Sequence, residues 1–275
     1  MTLSLAYSPC PNDTFAFHAM VHGLVDTEGL SFKVELADIE QLNMRAEQET
    51  YDICKLSYHA FFYLCDKYAM LRSGSALGYN NGPLFVSARL LNGPCSTLKI
   101  AIPGDKTTGA LLLRIAYPEC RNLSPVIFSQ IEERVLSGEF DAGVLIHEGR
   151  FTYAEKGLKL IEDLGTYWQT KTGKPIPLGG IAVSRKLSVE TGQKVNRVLR
   201  RSIEFAFGNP ELSGDYVFNN ARELDRDIQK RHIELFLNNY STDIGESGID
   251  AVYSLYDKIL EIEPKIIKRD NLFIL

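Results

Sequence analysis

The stretch richest in potential chemistry runs Asp141-Ala-Gly-Val-Leu-Ile-His147-Glu148-Gly149-Arg150-Phe151. Its small and apolar residues read as a buried strand that gives way abruptly to a histidine. Open α/β sheets hold ligands beyond the carboxyl ends of their strands. An imidazole, with an ordinary pKa of about 6.5, exchanges protons near neutrality. His147 is therefore a candidate general base, with packing or capping of the strand end as the plainer alternative. Glu148 either orients the ring or faces solvent.

Two loops could hold the substrate. Pro103–Gly109 follows a strand read at Lys99–Ile102 and precedes a helix at Ala110–Tyr117. Ser8–Thr14 follows a strand at Leu3–Tyr7 and precedes a helix at Phe15–Gly23. A strand-to-helix loop offers unpaired N–H groups and the positive end of a helix dipole, which suits a carboxylate. Thr107 and Thr108 add hydroxyl donors, and Gly109 permits close backbone approach. Asn12, Asp13 and Thr14 offer analogous groups. Ordinary N-capping by Thr108, and by Asp13 or Thr14, would use the same residues. Neither loop matches a phosphate-binding glycine pattern. A third candidate is Lys55-Leu56-Ser57, at the carboxyl end of a strand read at Asp52–Leu56, where Lys55 and Ser57 could hold a polar substrate.

The elements that must position these residues alternate strand and helix, an α/β pattern. It begins with the first strand and helix, a strand at Phe32–Leu36, a helix at Ile39–Glu49 and the strand at Asp52–Leu56. It starts again at Lys99, with a short strand at Val126–Phe128, a helix at Ile131–Ser137 and the strand Ala142–Ile146. An internal duplication is visible. Leu42 to Tyr51-Asp52 and Ile131 to Phe140-Asp141 have equal spacing, each with an arginine three residues on, Arg45 and Arg134. It places Lys55–Ser57 and His147 at corresponding positions of two lobes. Phe85–Arg89 and Ile181–Arg185 look alike and read as paired hinge strands. The expected organisation is a discontinuous first lobe, residues 1–96 and 181–275, with a second lobe inserted at 97–180. Helices at Val189–Phe207, Asp225–Leu237 and Ile249–Glu261, the first with Val195, Leu199 and Ile203 in one stripe, would pack on the first lobe.

With 275 residues, 45% of them hydrophobic, and a net charge of −5, the chain can bury a sizeable core and lacks the basic surface of a nucleic-acid binder. No stretch approaches the ~18 apolar residues of a membrane span, and the first twenty residues do not form a secretory signal, so no membrane partner and a cytoplasmic location are expected. The five scattered cysteines, Cys10, Cys54, Cys65, Cys95 and Cys120, suit reduced thiols rather than a disulfide framework or a zinc site. His18 and His22 lack the glutamate of a zinc-protease motif and read as a structural pair. His232, in a charged segment, reads as solvated, and no metal site is expected.

Taken together, Ser8-Pro-Cys-Pro-Asn-Asp-Thr-Phe15, Lys55-Leu-Ser-Tyr58, Gly82-Pro83-Leu84, Pro103-Gly104 with Thr107-Thr108, Ile146-His-Glu-Gly-Arg-Phe-Thr-Tyr153 and Pro177-Leu178-Gly179 resemble the 1,4-dihydroxy-6-naphthoate synthase family of the futalosine route to menaquinone, over essentially the full length. The resemblance implies a two-lobed fold like the type II periplasmic binding proteins, closing over an interlobe cleft. It implies a cofactor-free carbon–carbon lyase acting on cyclic dehypoxanthinyl futalosine, with His147 as base and substrate contacts at Lys55–Ser57 and Thr108-Gly109. The chain departs from the family pattern in having Gly rather than Ala at position 109 and His rather than a small residue at position 59. The alternatives are a solute-binding or sensor module without chemistry and the sister enzyme chorismate dehydratase, which shares the fold; the Ile146–Tyr153 match favours the naphthoate synthase.

Overall fold

The computed structural model describes residues 1–91, 94–222, 224–263, 266 and 268–274, and divides into two compact units, residues 1–78 with 177–275 and residues 79–176. The first unit opens with β1 (Thr2–Tyr7), α1 (Pro11–Val21), β2 (Ser31–Leu36), α2 (Ile39–Ala46), β3 (Ile53–Ser57), α3 (Tyr58–Leu64), β4 (Tyr68–Met70) and β5 (Ala76–Gly78). The second holds β6 (Leu84–Ser87), β7 (Ile100–Ile102), α4 (Thr108–Ala116), β8 (Leu123–Pro125), α5 (Ile131–Leu136), β9 (Ala142–Leu145), α6 (Gly149–Thr152), β10 (Lys159–Asp163) and α7 (Leu164–Thr172). The chain then returns through β11 (Ile176–Ser184) to α8 (Val189–Gly208), α9 (Gly214–Asn220), α10 (Arg226–Phe236), α11 (Asn239–Thr242) and α12 (Gly245–Ile262).

Each unit carries its own sheet. In the first, β1 lies between β2 and β3, parallel to both, and β11 runs antiparallel to β3 and β4 and also pairs with β5. In the second, β7 lies between β8 and β9, parallel to both, and β6 runs antiparallel to β9 and β10. The core of the first unit packs Leu3, Leu5, Phe17 and Met20 against the Val195, Leu199 and Ile203 stripe of α8. That of the second gathers Val86, Ala101, Ile131, Val135, Phe140 and Leu145. No helix among the described residues is long and apolar enough to cross a membrane.

The duplication has a physical basis. Asp52 accepts hydrogen bonds at one oxygen from the Ser4 N–H and hydroxyl, both 2.8 Å, tying β3 to the start of β1. Asp141 accepts from the Lys99 N–H at 2.9 Å and ties β9 to β7 in the same way. The paired arginines both reach their aromatic partner: Arg45 donates to the Tyr51 hydroxyl at 3.2 Å, and Arg134 sits 5.2 Å over the Phe140 ring.

The structure corrects several expectations. The inserted unit spans 79–176 rather than 97–180, because Leu84–Ser87 belongs to the second sheet. The look-alike segments around Phe85 and Ile181 are therefore not a hinge pair. They are the equivalent antiparallel strands of the two sheets, β6 on β9 and β11 on β3. Helix α1 begins at Pro11, so Asn12, Asp13 and Thr14 lie in its first turn and not in a loop. Proline at the first helical position is preorganised for that role. The expected strand at Val126–Phe128 lies earlier, at Leu123–Pro125. His232 is buried, not solvated, inside α10.

The cysteines also differ from expectation. Cys95 and Cys120 form a disulfide, with Cα atoms 5.1 Å apart, while Cys10, Cys54 and Cys65 are free and buried. Strand β7 and helix α4 separate the two residues in sequence, and only the turn back after α4 brings them together, so spacing alone concealed the pair. Under denaturing, non-reducing conditions a thiol titration should count three reactive groups, rising to five after reduction. A count of five from the outset would remove the crosslink. Reduction should lower stability by roughly 2–4 kcal/mol.

Candidate functional site

In the first unit the predicted residues meet in a buried polar network. Lys55 and Ser57 alternate with Leu56 along β3, so they share one face of the sheet and Leu56 points to the other. The Leu56 side chain is fully buried, which leaves only its backbone for a ligand. Lys55 Nζ donates to Asp13 Oδ1 at 2.9 Å, and the two side chains are only 8% and 5% exposed. Asp13 stands at the third position of α1. There its carboxylate benefits from the helix dipole, and it also accepts from Asn12 Nδ2 at 2.9 Å and from the Ser8 hydroxyl at 2.7 Å. Asn12 and Asp13 therefore join Lys55, whereas Thr14 does not. Its hydroxyl donates back to the Cys10 and Pro11 carbonyls at 3.1 and 3.2 Å, and its side chain is sealed in the core.

Ser57 is held from α2. Asn43 Nδ2 donates to the Ser57 hydroxyl at 3.2 Å, and the Ser57 N–H donates to Asn43 Oδ1 at 3.1 Å. Gly179 of β11 lies opposite Ser57; a Cβ there would fall 2.8 Å from the Leu56 carbonyl and 3.4 Å from the Lys55 stem. Glycine at that position leaves the lysine its place. Close by, the Tyr7 hydroxyl is hydrogen-bonded to the Tyr216 hydroxyl at 2.6 Å. Burial, then that bond and the Asp13 charge, push its pKa up.

The second unit supplies the other set. Thr107 caps α4: its hydroxyl accepts from the Ala110 N–H at 3.3 Å and donates to the Gly104 carbonyl at 2.8 Å. The cap is thus Thr107, not Thr108, which is the first residue of the helix and is buried. Gly109 packs on the end of β9, where a Cβ would lie 3.3 Å from both Val144 and Ile146 and 3.5 Å from Pro83. An alanine at that position would need its neighbours to give by only a few tenths of an ångström. The N-terminus of α4 and the residues leading to His147 are therefore packed together.

His147 lies two residues past the end of β9, half-buried, with its ring edge-on to Phe128 at 4.7 Å between centroids. Its φ is +58°, in the left-handed region that a non-glycine residue rarely adopts. Holding a residue there costs about 1–3 kcal/mol and persists only where the surroundings impose it. The Glu148 carboxylate has one oxygen, Oε2, that is buried and accepts no hydrogen bond among the described residues. Counting from the paired aspartates, His147 stands six residues beyond Asp141, as Tyr58 stands six beyond Asp52. The residue equivalent to His147 is therefore Tyr58, and Lys55–Ser57 match Val144–Ile146.

Among the described residues, Cys95, Cys120 and Glu119 lie close enough together for a metal, but the two sulfurs are bonded to each other.

Residues 3–261 match the family model described as menaquinone biosynthesis. The chain belongs to that family. It is 39% identical over 257 residues to a 1,4-dihydroxy-6-naphthoate synthase of Thermus thermophilus, covering 92% of each chain. It is 38% identical over 259 residues to the protein of that name from Streptomyces coelicolor, covering 92% of this chain and 91% of the other. A crystal structure of an Archaeoglobus fulgidus protein, 37% identical, superposes with a TM-score of 0.88 over 96% of this chain and 98% of its own. More distant structures establish the fold as that of the periplasmic binding proteins. A Candida albicans protein described by that generic fold matches at TM-score 0.69 and 14% identity, covering 99% of this chain and 93% of its own.

Sequence reasoning overlooked two residues that hold the candidates in place, Ser8 and Asn43. Asn43 left a trace, as a polar residue beside Leu42 and Ala46 on the buried side of α2. Removing the Lys55 ammonium leaves a buried carboxylate with only Ser8 and Asn12 as side-chain donors among the described residues. Lys55→Met should destabilise the protein by about 3 kcal/mol, the low end for breaking a buried pair, and Lys55→Met with Asp13→Asn should recover part of that loss. Urea denaturation of the two variants tests this, and a single variant as stable as the parent would refute it.

Proposed function

We propose that this chain is a 1,4-dihydroxy-6-naphthoate synthase, a cytoplasmic, cofactor-independent carbon–carbon lyase that converts cyclic dehypoxanthinyl futalosine to 1,4-dihydroxy-6-naphthoate. The observation that carries the reading is the pair of relatives bearing that name, at 38–39% identity over 92% of the chain. It is supported by His147, whose strained backbone at a strand end matches the expected position of a general base. Strain of that kind clusters at active sites.

In this reading neutral His147 takes a proton from the bound substrate. A retro-aldol-like step then breaks a carbon–carbon bond to the sugar-derived part, and formation of the aromatic naphthalene drives the reaction. A positioned base contributes roughly 10²–10⁴-fold. The larger share comes from orientation and from donors aimed at developing negative charge. Thr108 and the Gly109 amide at the start of α4 serve as such donors, whereas the N–H and hydroxyl of Thr107 both donate to the Gly104 carbonyl and shape the cap instead. Asn12, Asp13, Lys55 and Ser57 form the polar wall of the first unit, where one of the three Lys55 donors already belongs to Asp13. Thr14 and the Leu56 side chain are left out of this wall, because both are buried away from it.

His147→Ala should slow release of the naphthoate product from the cyclic futalosine roughly 10²–10⁴-fold, leaving a small residual rate, with the circular dichroism spectrum and substrate binding intact. Full turnover by that variant would remove His147 as the base. Saturable binding with no product from the parent protein would instead make the chain a binder. Thr108→Val should raise KM several-fold with a change in melting temperature of only a degree or two; an unchanged KM would reduce Thr108 to a helix-start residue.

A further inference from the structure

The second unit contains a built clamp that the proposed chemistry does not use directly. Arg150, three residues beyond His147, opens its guanidinium toward two partners on other segments. One terminal nitrogen donates to the Gly82 carbonyl, and the other donates to Asp163 Oδ2 at 2.6 Å. The two charged side chains are only 17% and 16% exposed, so solvent screens the pair little.

Both anchors are themselves fixed. Asp163 ends β10 and caps α7, its Oδ1 accepting from the Gly165 and Thr166 N–H groups at 3.0 Å each. Its second oxygen goes to Arg150. Gly82 is pressed against Gly165: a Cβ on Gly82 would lie 2.3 Å from the Gly165 Cα, and one on Gly165 2.6 Å from the Gly82 Cα. The Leu164 N–H donates to the Pro83 carbonyl at 3.0 Å, closing the same corner. A guanidinium fork satisfies a carbonyl and a carboxylate together, whereas an ammonium is a single point of charge.

The clamp reaches His147 through a short path. The Arg150 N–H donates to the His147 carbonyl at 3.4 Å, and the Phe151 N–H to the Glu148 carbonyl at 2.8 Å, so the left-handed residue begins a tight turn that Arg150 closes. Within that turn the backbone bond to His147 is long. The side chain of Arg150 is the part bound firmly to the rest of the unit.

We propose that Arg150, held by Asp163 and the Gly82 carbonyl, is a positioning residue for His147. It fixes the unfavourable backbone conformation from which the imidazole reaches its substrate. This rests on the reading of His147 as the base.

The test is a double-mutant cycle in the full-length enzyme with cyclic dehypoxanthinyl futalosine. Arg150→Lys keeps the charge but loses the fork, and Asp163→Asn keeps one capping oxygen but loses the carboxylate. Each should lower kcat roughly 10- to 100-fold, the scale of a misplacement of about 1 Å, with KM within about threefold of the parent. In the His147→Ala background, Arg150→Lys should have no further effect on the residual rate, because the residue it positions is gone. Parental kcat in both single variants would overturn the proposal. So would an equal loss with and without His147, which would make Arg150 an independent contributor, or a loss confined to KM. A His147→Ala variant that turns over normally would instead overturn the underlying assignment of the base, a result separate from any outcome at Arg150.

Discussion

An ammonium and a carboxylate meet where water scarcely reaches, and much of the first unit is arranged around that meeting. Lys55 and Asp13 come from β3 and α1, which are joined through β1. Such a pair is stable only if its desolvation is offset by close geometry and further hydrogen bonds. Ser8 and Asn12 supply those bonds, the start of α1 supplies a favourable dipole, and the bare backbone of Gly179 supplies room. Each of these features is local, and each constrains what its neighbours can be.

The second unit solves a different problem by related means. It must hold His147 in a backbone conformation that its side chain disfavours. The corner made by Gly82, Gly165 and Asp163 is rigid because two glycines let the main chains touch and an aspartate caps the helix that follows. Arg150 carries that rigidity to the turn at His147. In both units a charged pair joins separate elements, β3 to α1 and α6 to β10, with glycines packed close beside it.

Much of this was legible in the residue order. The strand–helix alternation, the stripe on α8 and the paired aromatic-aspartate motif are short-range patterns, and the fold follows them. The aspartates carry the repeat because each ties its strand to the neighbouring parallel strand, β3 to β1 and β9 to β7. What escaped detection depends on long-range placement. The start of helix α1 at Pro11 has a local signal in the proline itself, but the contact of its first turn with Lys55, more than forty residues away, is announced by no local pattern. The family of β6 and β11 was visible as similarity, but which sheet each joins is a matter of pairing. The Cys95–Cys120 bond and the roles of Asn43 and Asp163 are likewise set by neighbours in space. Leu56 lies on its expected strand, and Thr14 lies in the first turn of α1 rather than in a loop; the side chains of both turn away from the polar network.

Strand β11 lies between β3 and β4 in the first sheet, yet it is made after the whole of the second unit. On the ribosome, β1 to β5 therefore emerge without the strand that belongs in their midst. At roughly 5–20 residues per second, synthesis of the intervening unit keeps them waiting for several seconds, with the edges of β3 and β4 unpaired. The inserted unit has all its strands consecutively and can complete itself first. The half that begins the chain is thus the last to finish folding, and its nascent form is the stage at which the protein is most exposed to aggregation or to capture by a chaperone.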